Sequence, residues 1–203
     1  MKPVFVIGNG CSRSVFDLEL LQGLGETYGC NLLVKDIKLD NTIVCDRAML
    51  VYLSSQGYNK TTNVWTRQRW LDQIEIDSAT ALPVPVANPV ERWDKEMHWG
   101  AGTHAVNLAA HRGAEVVVMI GFDLWAREDG LNNIYKDIEP FYENDQIAPD
   151  CWVYQLSSAF KKYPNTTFVQ IQPQSWKDPV EWTGIENYTR DDFQGLREWL
   201  KEL

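Results

Sequence analysis

The sequence predicts an α/β domain built on a parallel sheet that is flanked by helices, and two patterns indicate this fold. Short apolar runs typical of strands alternate with amphipathic stretches typical of helices, and the connections between them are short. Several of the runs are apolar throughout, as expected of strands that are buried on both faces of a sheet. The 203 residues suffice for a sizeable core, so we expect residues 1–203 to form a single domain.

The first predicted elements follow one another closely along the chain. An apolar run that ends at Gly8 favours a short buried strand, and Ser14 is a suitable N-cap for the stretch that follows. In chain order, the elements expected here are a strand over 4–7, a helix over 16–24, strands over 28–34 and 42–45, and a helix over 47–53.

Residues 56–99 are predicted to form an irregular, Trp-rich insertion within the domain. The stretch contains tryptophans at 65, 70, 93 and 99 and prolines at 83, 85 and 89. It predicts one or two short strands, a short helix near 69–74 and much loop. Because tryptophans are usually largely buried, we favour core packing for them over a surface patch that binds a partner.

The pattern is clearer in the second half of the chain. Gly113 is a typical C-cap, and Thr189 is expected to cap the last helix. The β-branched run that precedes Gly121 predicts a buried central strand. In chain order, the elements expected are a helix over 102–111, strands over 115–120 and 167–171, an amphipathic helix over 150–163, and a C-terminal helix.

Composition and charge exclude several classes of function. The formal net charge is −9 and there is no block of Lys or Arg, which argues against binding nucleic acid or an anionic membrane surface. No apolar stretch is long enough to span a membrane, and the start of the chain lacks the pattern of a signal peptide. The four cysteines form no C-x-x-C pair, so we expect no metal site and a reducing, cytoplasmic location.

Candidate binding residues follow the first strand, because ligands of parallel sheets bind at the carboxyl ends of strands. The segment Gly8-Asn9-Gly10-Cys11-Ser12-Arg13 lets the backbone turn tightly and approach a ligand. Its amides, with the hydroxyl of Ser12, could hold a phosphate. The alternative is a tight turn between strand and helix that binds nothing.

Polar side chains also follow the next two predicted strands. The amide of Asn31 could bind a base edge or a ribose, and the carboxylate of Asp46 could accept from ribose hydroxyls. Alternatively, both residues are turn formers or helix caps.

A second glycine cluster opens the helix over 102–111. Gly102 and Thr103 would place amides at a helix N-terminus, where an anion can bind. His104 lies in the same first turn, where a ligand could reach it, whereas the alternative is that it belongs to a solvated face with Asn107 and His111.

Two further strand ends carry candidates. Asp123 follows the central strand, where a carboxylate is costly unless it is hydrogen-bonded, so it either caps loop amides or contacts a ligand. Ser175 follows the strand over 167–171, where the alternative is a simple turn.

Taken together, these motifs resemble the bacterial sialyltransferases that modify lipooligosaccharides. The segment Gly8-Asn9-Gly10-x-Ser12 resembles that family's G-N-G-P-S loop, and Cys30-Asn31 resembles its next strand end. The glycines at 102, 113 and 121 followed by Asp123 resemble its S-G…G…G-x-D-F region, and Pro173-x-Ser175 resembles its P-x-S. The same Rossmann-like framework is similar to archaeal 6-hydroxymethylpterin diphosphokinases, and small related proteins in phages suggest a phage-encoded member.

The resemblance implies a Rossmann-like fold that binds a CMP-sugar. It implies nucleotide contacts from Asn9, Gly10, Ser12, Asn31 and Gly102. It also implies a tyrosine that holds the leaving phosphate, for which Tyr135 or Tyr142 could serve together with Arg127. The histidine that acts as general base in the family is missing, since no histidine follows His111. The substitutes considered are His98, His104, Glu143, Asp145 and Asp150.

Three functions therefore remain open at this stage. The first is a nucleotide- or nucleotide-sugar-binding transferase that resembles the sialyltransferases. The second is a Mg²⁺-dependent diphosphate transferase, in which Asp46 and Asp123 would be oxygen ligands of the metal. The third is a binding or assembly protein without catalysis, possible as a homo-oligomer.

Overall fold

The computed structural model describes residues 2–125, 133–135 and 149–203, and within them eight strands form one sheet. The strands are β1 (Val4–Ile7), β2 (Glu26–Cys30), β3 (Asn41–Val44), β4 (Asn63–Thr66), β5 (Ala79–Ala81), β6 (Val116–Ile120), β7 (Thr167–Ile171) and β8 (Tyr188–Asp191). Their order is β5-β4-β3-β2-β1-β6-β7-β8, and all seven pairings are parallel. The predicted α/β fold with a parallel, helix-flanked sheet is confirmed.

Helices cover both faces of this sheet. They are α1 (Arg47–Ser55), α2 (Gln68–Leu71), α3 (Ala101–His111), α4 (Pro149–Lys162) and α5 (Phe193–Leu200). In β1, Phe5 and Ile7 enter the cluster that α1 and α5 cover, whereas Val6 enters the cluster that α3 and α4 cover. This alternation explains why the central strands are apolar at every position, because successive side chains point to opposite faces.

The order of the strands reverses between β1 and β6. The chain builds β1 to β5 outward in one direction and then returns to place β6 on the other side of β1. The two loops at this switch point are joined by backbone hydrogen bonds, from the Gly8 amide to the Ile120 carbonyl (2.8 Å) and from the Gly10 amide to the Gly121 carbonyl (2.9 Å). A crevice at the carboxyl ends of these strands is the usual place for a ligand in an open α/β sheet.

The helix predicted over 16–24 is wrong. Two short 3₁₀ helices occupy this region, Cys11–Val15 and Leu18–Leu21, and Asp17 rather than Ser14 caps the second through the Glu19 amide (3.1 Å). The buried residues Phe16, Leu18 and Leu21 explain the error, because their spacing does not place them on one face of an α-helix.

Two other predicted boundaries are also wrong. The strand expected over 28–34 ends at Cys30, because Asn31 adopts a left-handed conformation (φ 56°) and starts the 3₁₀ helix Asn31–Lys35. Thr189 does not cap the last helix, since it lies within β8. Asp192 is the cap, and its carboxylate accepts from the amides of Gln194 (2.8 Å) and Gly195 (2.9 Å).

The Trp-rich stretch over 56–99 contains the two short strands and the short helix that were expected. The strands β4 and β5 extend the main sheet to its edge, and α2 lies between them. Trp99 is buried, and the indole N–H groups of Trp65 and Trp70 donate to Asn41 Oδ1 (2.9 Å) and to the Cys45 carbonyl (2.7 Å). These contacts agree with core packing of the tryptophans.

None of the helices in the described part of the chain combines the length and the apolarity that a membrane crossing requires.

Candidate functional site

A cleft of about 810 Å³ opens at the carboxyl ends of β1, β6 and β7, beside the switch point. Three segments form its walls, one from the loop after each of these strands. The lining residues are Cys11, Ser12, Ser14 and Val15 after β1, Asp123 and Trp125 after β6, and Gln172, Pro173, Ser175, Trp176, Lys177, Asp178, Pro179, Val180 and Glu181 after β7. The structure therefore brings three of the predicted site residues, Ser12, Asp123 and Ser175, to one cleft.

Ser12 and Asp123 form the polar floor of this cleft. The amide of Ser12 donates to Asp123 Oδ2 (2.8 Å), and its hydroxyl donates to Asp123 Oδ1. Asp123 is 9% exposed, and its burial raises the pKa of the carboxyl above the usual value, although the hydrogen bonds from Ser12 oppose this shift. A carboxyl group with a raised pKa is therefore held at a defined position in the cleft.

Gly8 and Gly10 are required by the contact between the two loops. A Cβ atom on either residue would lie 2.5 Å from the Gly121 carbonyl oxygen, and one on Gly10 would also collide with Asp123. The amide of Gly10, which was predicted to bind a phosphate, already donates to the Gly121 carbonyl. The glycines thus explain the close packing of the loops without any ligand.

Asn9 and Asn31 follow the adjacent strands β1 and β2, and each has a buried side-chain oxygen. Neither Oδ1 atom has a hydrogen-bond partner in the part of the chain that the structure describes. Asp46 follows β3, is exposed, and makes no capping bond with its side chain although it stands at the N-cap of α1. These three residues present acceptor atoms at three consecutive strand ends, outside the lining of the cleft.

The start of α3 is packed into the protein. A Cβ on Gly102 would meet the ring of Phe122 at 3.3 Å, and the hydroxyl of Thr103 lies 2.9 Å from both the Gly100 carbonyl and Gln155 Oε1. Thr103 is buried, so this hydroxyl serves the packing of α3 against α4.

His104 is a buried core residue that does not line the cleft. It is fully buried against Trp99, with 5.7 Å between the ring centroids, and among the described residues neither ring nitrogen has a hydrogen-bond partner of normal geometry. Burial, assisted by the charge of Arg67, lowers the pKa of His104 from 6.5 to about 3. The alternative, that His104, Asn107 and His111 form a solvated face, is also wrong. His104 and Asn107 are buried, and of the three residues only His111 is exposed.

Tyr135 belongs to a polar cluster with Asp36 and with Arg13 from the loop after β1. Its hydroxyl accepts from Arg13 Nη2 (2.8 Å) and donates to the carboxylate of Asp36, which also forms an ion pair with Arg13 (3.2 Å). Burial and this carboxylate raise the pKa of Tyr135 above its usual value. Four other candidates, Arg127, Tyr142, Glu143 and Asp145, lie outside the described residues.

Sequence reasoning did not assign Gln172, Trp125 or Trp176 to the site. The indole rings of Trp125 and Trp176 pack at 5.1 Å between centroids on the wall of the cleft. Gln172 donates to the Phe122 carbonyl (2.8 Å), and its Oε1 atom is buried without a partner in the described structure. Gln172 directly follows β7, and Trp125 and Trp176 lie in the loops after β6 and β7, which is the signal that could have identified them.

No group of three or more His, Cys, Asp or Glu side chains within the described ranges is placed to hold a metal ion.

Of three comparisons with known proteins, the one with solved structures found a match. No family model matches the chain, and a search of curated proteins found no match. Among solved structures, the chain is similar to an α-2,3-sialyltransferase from Campylobacter jejuni in its apo form. The TM-score is 0.57 at 13% sequence identity, and the match covers 100% of this chain and 94% of that chain. At this identity the similarity shows a shared fold.

Proposed function

We propose that this protein is a glycosyltransferase that binds a CMP-sugar across the carboxyl ends of β1, β2 and β3. The observation that carries the proposal is the pair of buried, unpartnered oxygens on Asn9 and Asn31 at adjacent strand ends. A buried acceptor without a donor costs about 1–3 kcal/mol, so such atoms are rare unless a ligand or water completes them. The amino group of a cytosine and the hydroxyls of a ribose are donors of the required kind.

The neighbouring residues support the same placement. Asp46 offers an exposed carboxylate that makes no capping bond, and such a group can accept from ribose hydroxyls. The N-terminus of α3 at Gly102 offers helix amides and a partial positive charge to a phosphate. The fold shared with a sialyltransferase is consistent with this class of donor. The roles of Gly8, Gly10 and Thr103 are then to shape the binding site rather than to contact the nucleotide.

In the proposed reaction, Asp123 accepts the proton from the hydroxyl of the acceptor. The acceptor oxygen bonds to the anomeric carbon of the sugar, while the bond from that carbon to the phosphate oxygen breaks and its electron pair leaves with the nucleotide. The raised pKa of Asp123 makes it a stronger base than an ordinary aspartate. His104 is buried and neutral, and the Tyr135 hydroxyl is bonded to Arg13 and Asp36, so Asp123 is the better candidate.

Thermal unfolding with CMP, CMP-sialic acid, UDP-sugars, ATP and GTP, each with magnesium or EDTA, tests the proposal. A ligand at 100 times its Kd adds about 2.7 kcal/mol of stability, which gives a clear rise in Tm. We expect a rise with CMP that persists in EDTA. The informative variant is Asn31→Gly, because glycine accepts the left-handed backbone at this position and only the side-chain amide is lost.

The variant Asn31→Gly should unfold at a similar temperature to the wild type but lose the shift with CMP. The matched control is Asn165→Gly, an exposed asparagine in the turn before β7, which should keep the shift. An equal shift in Asn31→Gly, or no shift with any nucleotide, contradicts the proposal. A shift that requires both ATP and magnesium would instead support diphosphate transfer, with Asp46 and Asp123 as metal ligands.

A further inference from the structure

The residues that line the cleft between the loops after β1, β6 and β7 do not include Asn9, Asn31 or Asp46, the strand-end residues proposed to bind the nucleotide. We infer that this cleft is the pocket of the second substrate, and that this substrate is amphipathic: a head that donates hydrogen bonds lies at Asp123, and a neutral apolar body lies against Trp125 and Trp176. The inference rests on the proposed function, because it assigns the acceptor of that same reaction.

The floor of the cleft offers acceptors of hydrogen bonds. Asp123 contributes a carboxylate that already accepts from Ser12, the Cys11 amide and the Gln172 side chain. Gln172, which is 1% exposed, contributes an Oε1 atom without a partner in the described structure. The donors of Ser12 are already used by Asp123, and the Gln172 amide already donates to the Phe122 carbonyl. A ligand head that donates, such as a hydroxyl or an amine, therefore satisfies this floor. A head that only accepts leaves the floor unpaired and can pair with the indole N–H of Trp176 on the wall, which has no partner in the described structure.

The walls of the cleft are apolar and open to solvent. The Trp125 and Trp176 rings pack together at an interplanar angle of 47°, and Trp125 is 40% exposed. On the rim, Val15 and Val180 are 63% and 78% exposed, although they belong to different loops. Apolar side chains from two loops that converge on one cleft favour an apolar ring or chain between them.

The charges in the cleft disfavour an anion. Among the described residues, Asp123, Asp178 and Glu181 line it together with one cation, Lys177. Asp178 Oδ1 lies 3.9 Å from Arg190 Nη1, so the charge of Asp178 is balanced by that arginine. The negative charges of Asp123 and Glu181 then exceed the positive charge of Lys177. An anionic head at the floor would face the Asp123 carboxylate, and like charges at short distance repel.

The cleft adjoins the proposed nucleotide position without coinciding with it. Ser12 and Asp123 line the cleft, whereas Asn9, Asn31 and Asp46 do not. In the order of the strands, the nucleotide position covers β3, β2 and β1 and the cleft covers β1, β6 and β7, so the two meet at the loop after β1, to which Asp123 is hydrogen-bonded through Ser12.

Ligand-observed NMR titration of the whole chain with four small aromatic probes and one polyol tests the inference. The probes are 2-phenylethanol, 2-phenylethylamine, the methyl ether of 2-phenylethanol, 3-phenylpropanoate and the polyol xylitol. We expect the alcohol and the amine to bind, and their ratio identifies the preferred head. The ether and the carboxylate should bind at least five-fold more weakly, and xylitol should not bind measurably. Equal binding of the carboxylate, or stronger binding of xylitol than of the alcohol, would overturn the inference.

A pair of matched variants locates the binding. Val180→Asp adds a charge at the rim, and Val90→Asp makes the same change at an apolar residue that is 84% exposed and does not line the cleft. Both positions are exposed, so both variants should fold. Val180→Asp should weaken binding of 2-phenylethanol at least five-fold, and Val90→Asp should not. Unchanged binding in Val180→Asp would refute the pocket, whereas the absence of a CMP shift in the wild type, with binding of 2-phenylethanol intact, would refute the proposed donor, so the two failures are distinguishable.

Discussion

The Asp123 carboxylate accepts hydrogen bonds from both the amide and the hydroxyl of Ser12, a residue 111 positions earlier in the chain. This contact joins the loop after β1 to the loop after β6 across the switch point of the sheet. It also helps to explain why a costly buried carboxyl is tolerated there, since the two donors of Ser12, with the Cys11 amide and the Gln172 side chain, compensate for the water that it has lost. The same group is the proton acceptor of the proposed reaction.

On the acidic side of its pH profile, kcat/KM of the proposed transfer reaction should follow the ionisation of Asp123. The base must be deprotonated to work, and burial raises its pKa, so kcat/KM should fall as pH decreases through a value above the ordinary 3.9 of aspartate. Asp123→Asn should lose most activity at every pH, about 10²–10⁴-fold for the loss of a general base. A pH-rate series on the wild type and this variant, with CMP release as the signal, checks both points. An acid limb below that ordinary value, or full activity in Asp123→Asn, would show that another group takes the proton.

Gly10→Ala should destabilise the protein by roughly 2–3 kcal/mol, because the added methyl group overlaps the Gly121 carbonyl and the Asp123 carboxylate. Urea denaturation monitored by tryptophan fluorescence measures this. Gly102→Ala is the matched control, since its methyl group would meet the Phe122 ring at 3.3 Å and alanine is favoured over glycine within a helix. Equal stability of Gly10→Ala and the wild type would mean that the two loops separate readily.

His104 should make the protein less stable in mild acid. Its pKa is lowered from 6.5 to about 3 in the folded state, so below 6.5 the unfolded state binds a proton that the folded state does not. Stability should therefore fall as the pH decreases from about 6.5 toward 3, by roughly 2 kcal/mol at pH 5.

Urea unfolding at pH 7 and pH 5 tests this expectation. The difference between the two pH values should shrink by roughly 2 kcal/mol in His104→Phe, because the titrating ring is removed. His111→Phe makes the same change at an exposed position of α3 and should leave the difference as it is in the wild type. If the difference in His104→Phe equals that of the wild type, the imidazole of wild-type His104 is protonated at pH 5 in the folded state as well as in the unfolded state.

Tyr135→Phe should cost about 1–2 kcal/mol, because its hydroxyl bonds both Arg13 and Asp36, and hydrogen bonds to charged groups are worth more than neutral ones. Chemical denaturation of this variant beside Tyr58→Phe, a partly buried tyrosine packed on the same core, measures the cost of the hydroxyl. If both variants unfold at the same urea concentration as the wild type, the cluster around Arg13 contributes nothing to stability.

Periodicity and residue type predicted much of the fold. The strand over 167–171 and the helices near 47–53, 102–111 and 150–163 are confirmed, because each has a clear apolar pattern that tertiary contacts do not override. The region over 16–24 failed because its apolar residues enter the core from 3₁₀ helices, whose spacing differs from that of an α-helix.

The site could be predicted only in outline. Strand-end reasoning identified Ser12, Asp123 and Ser175, which the structure brings to one cleft. It could not foresee that the hydroxyl of Thr103 and the ring of His104 turn into the core, since both depend on how α3 packs against distant residues such as Gln155 and Trp99. The assignment of nucleotide contacts to Asn9, Asn31 and Asp46 stays a prediction.

The position of β1 in the sheet has a consequence for synthesis of the chain on the ribosome. β1 pairs with β2 on one side and with β6 on the other, so one edge of this apolar strand has no neighbour until residues 116–120 have been made. Five strands can assemble before that point, and the remaining three are added afterwards. The cleft therefore cannot form until the chain has been made as far as Glu181. A nascent chain arrested before β6 exposes an unpaired apolar edge to which another chain can add.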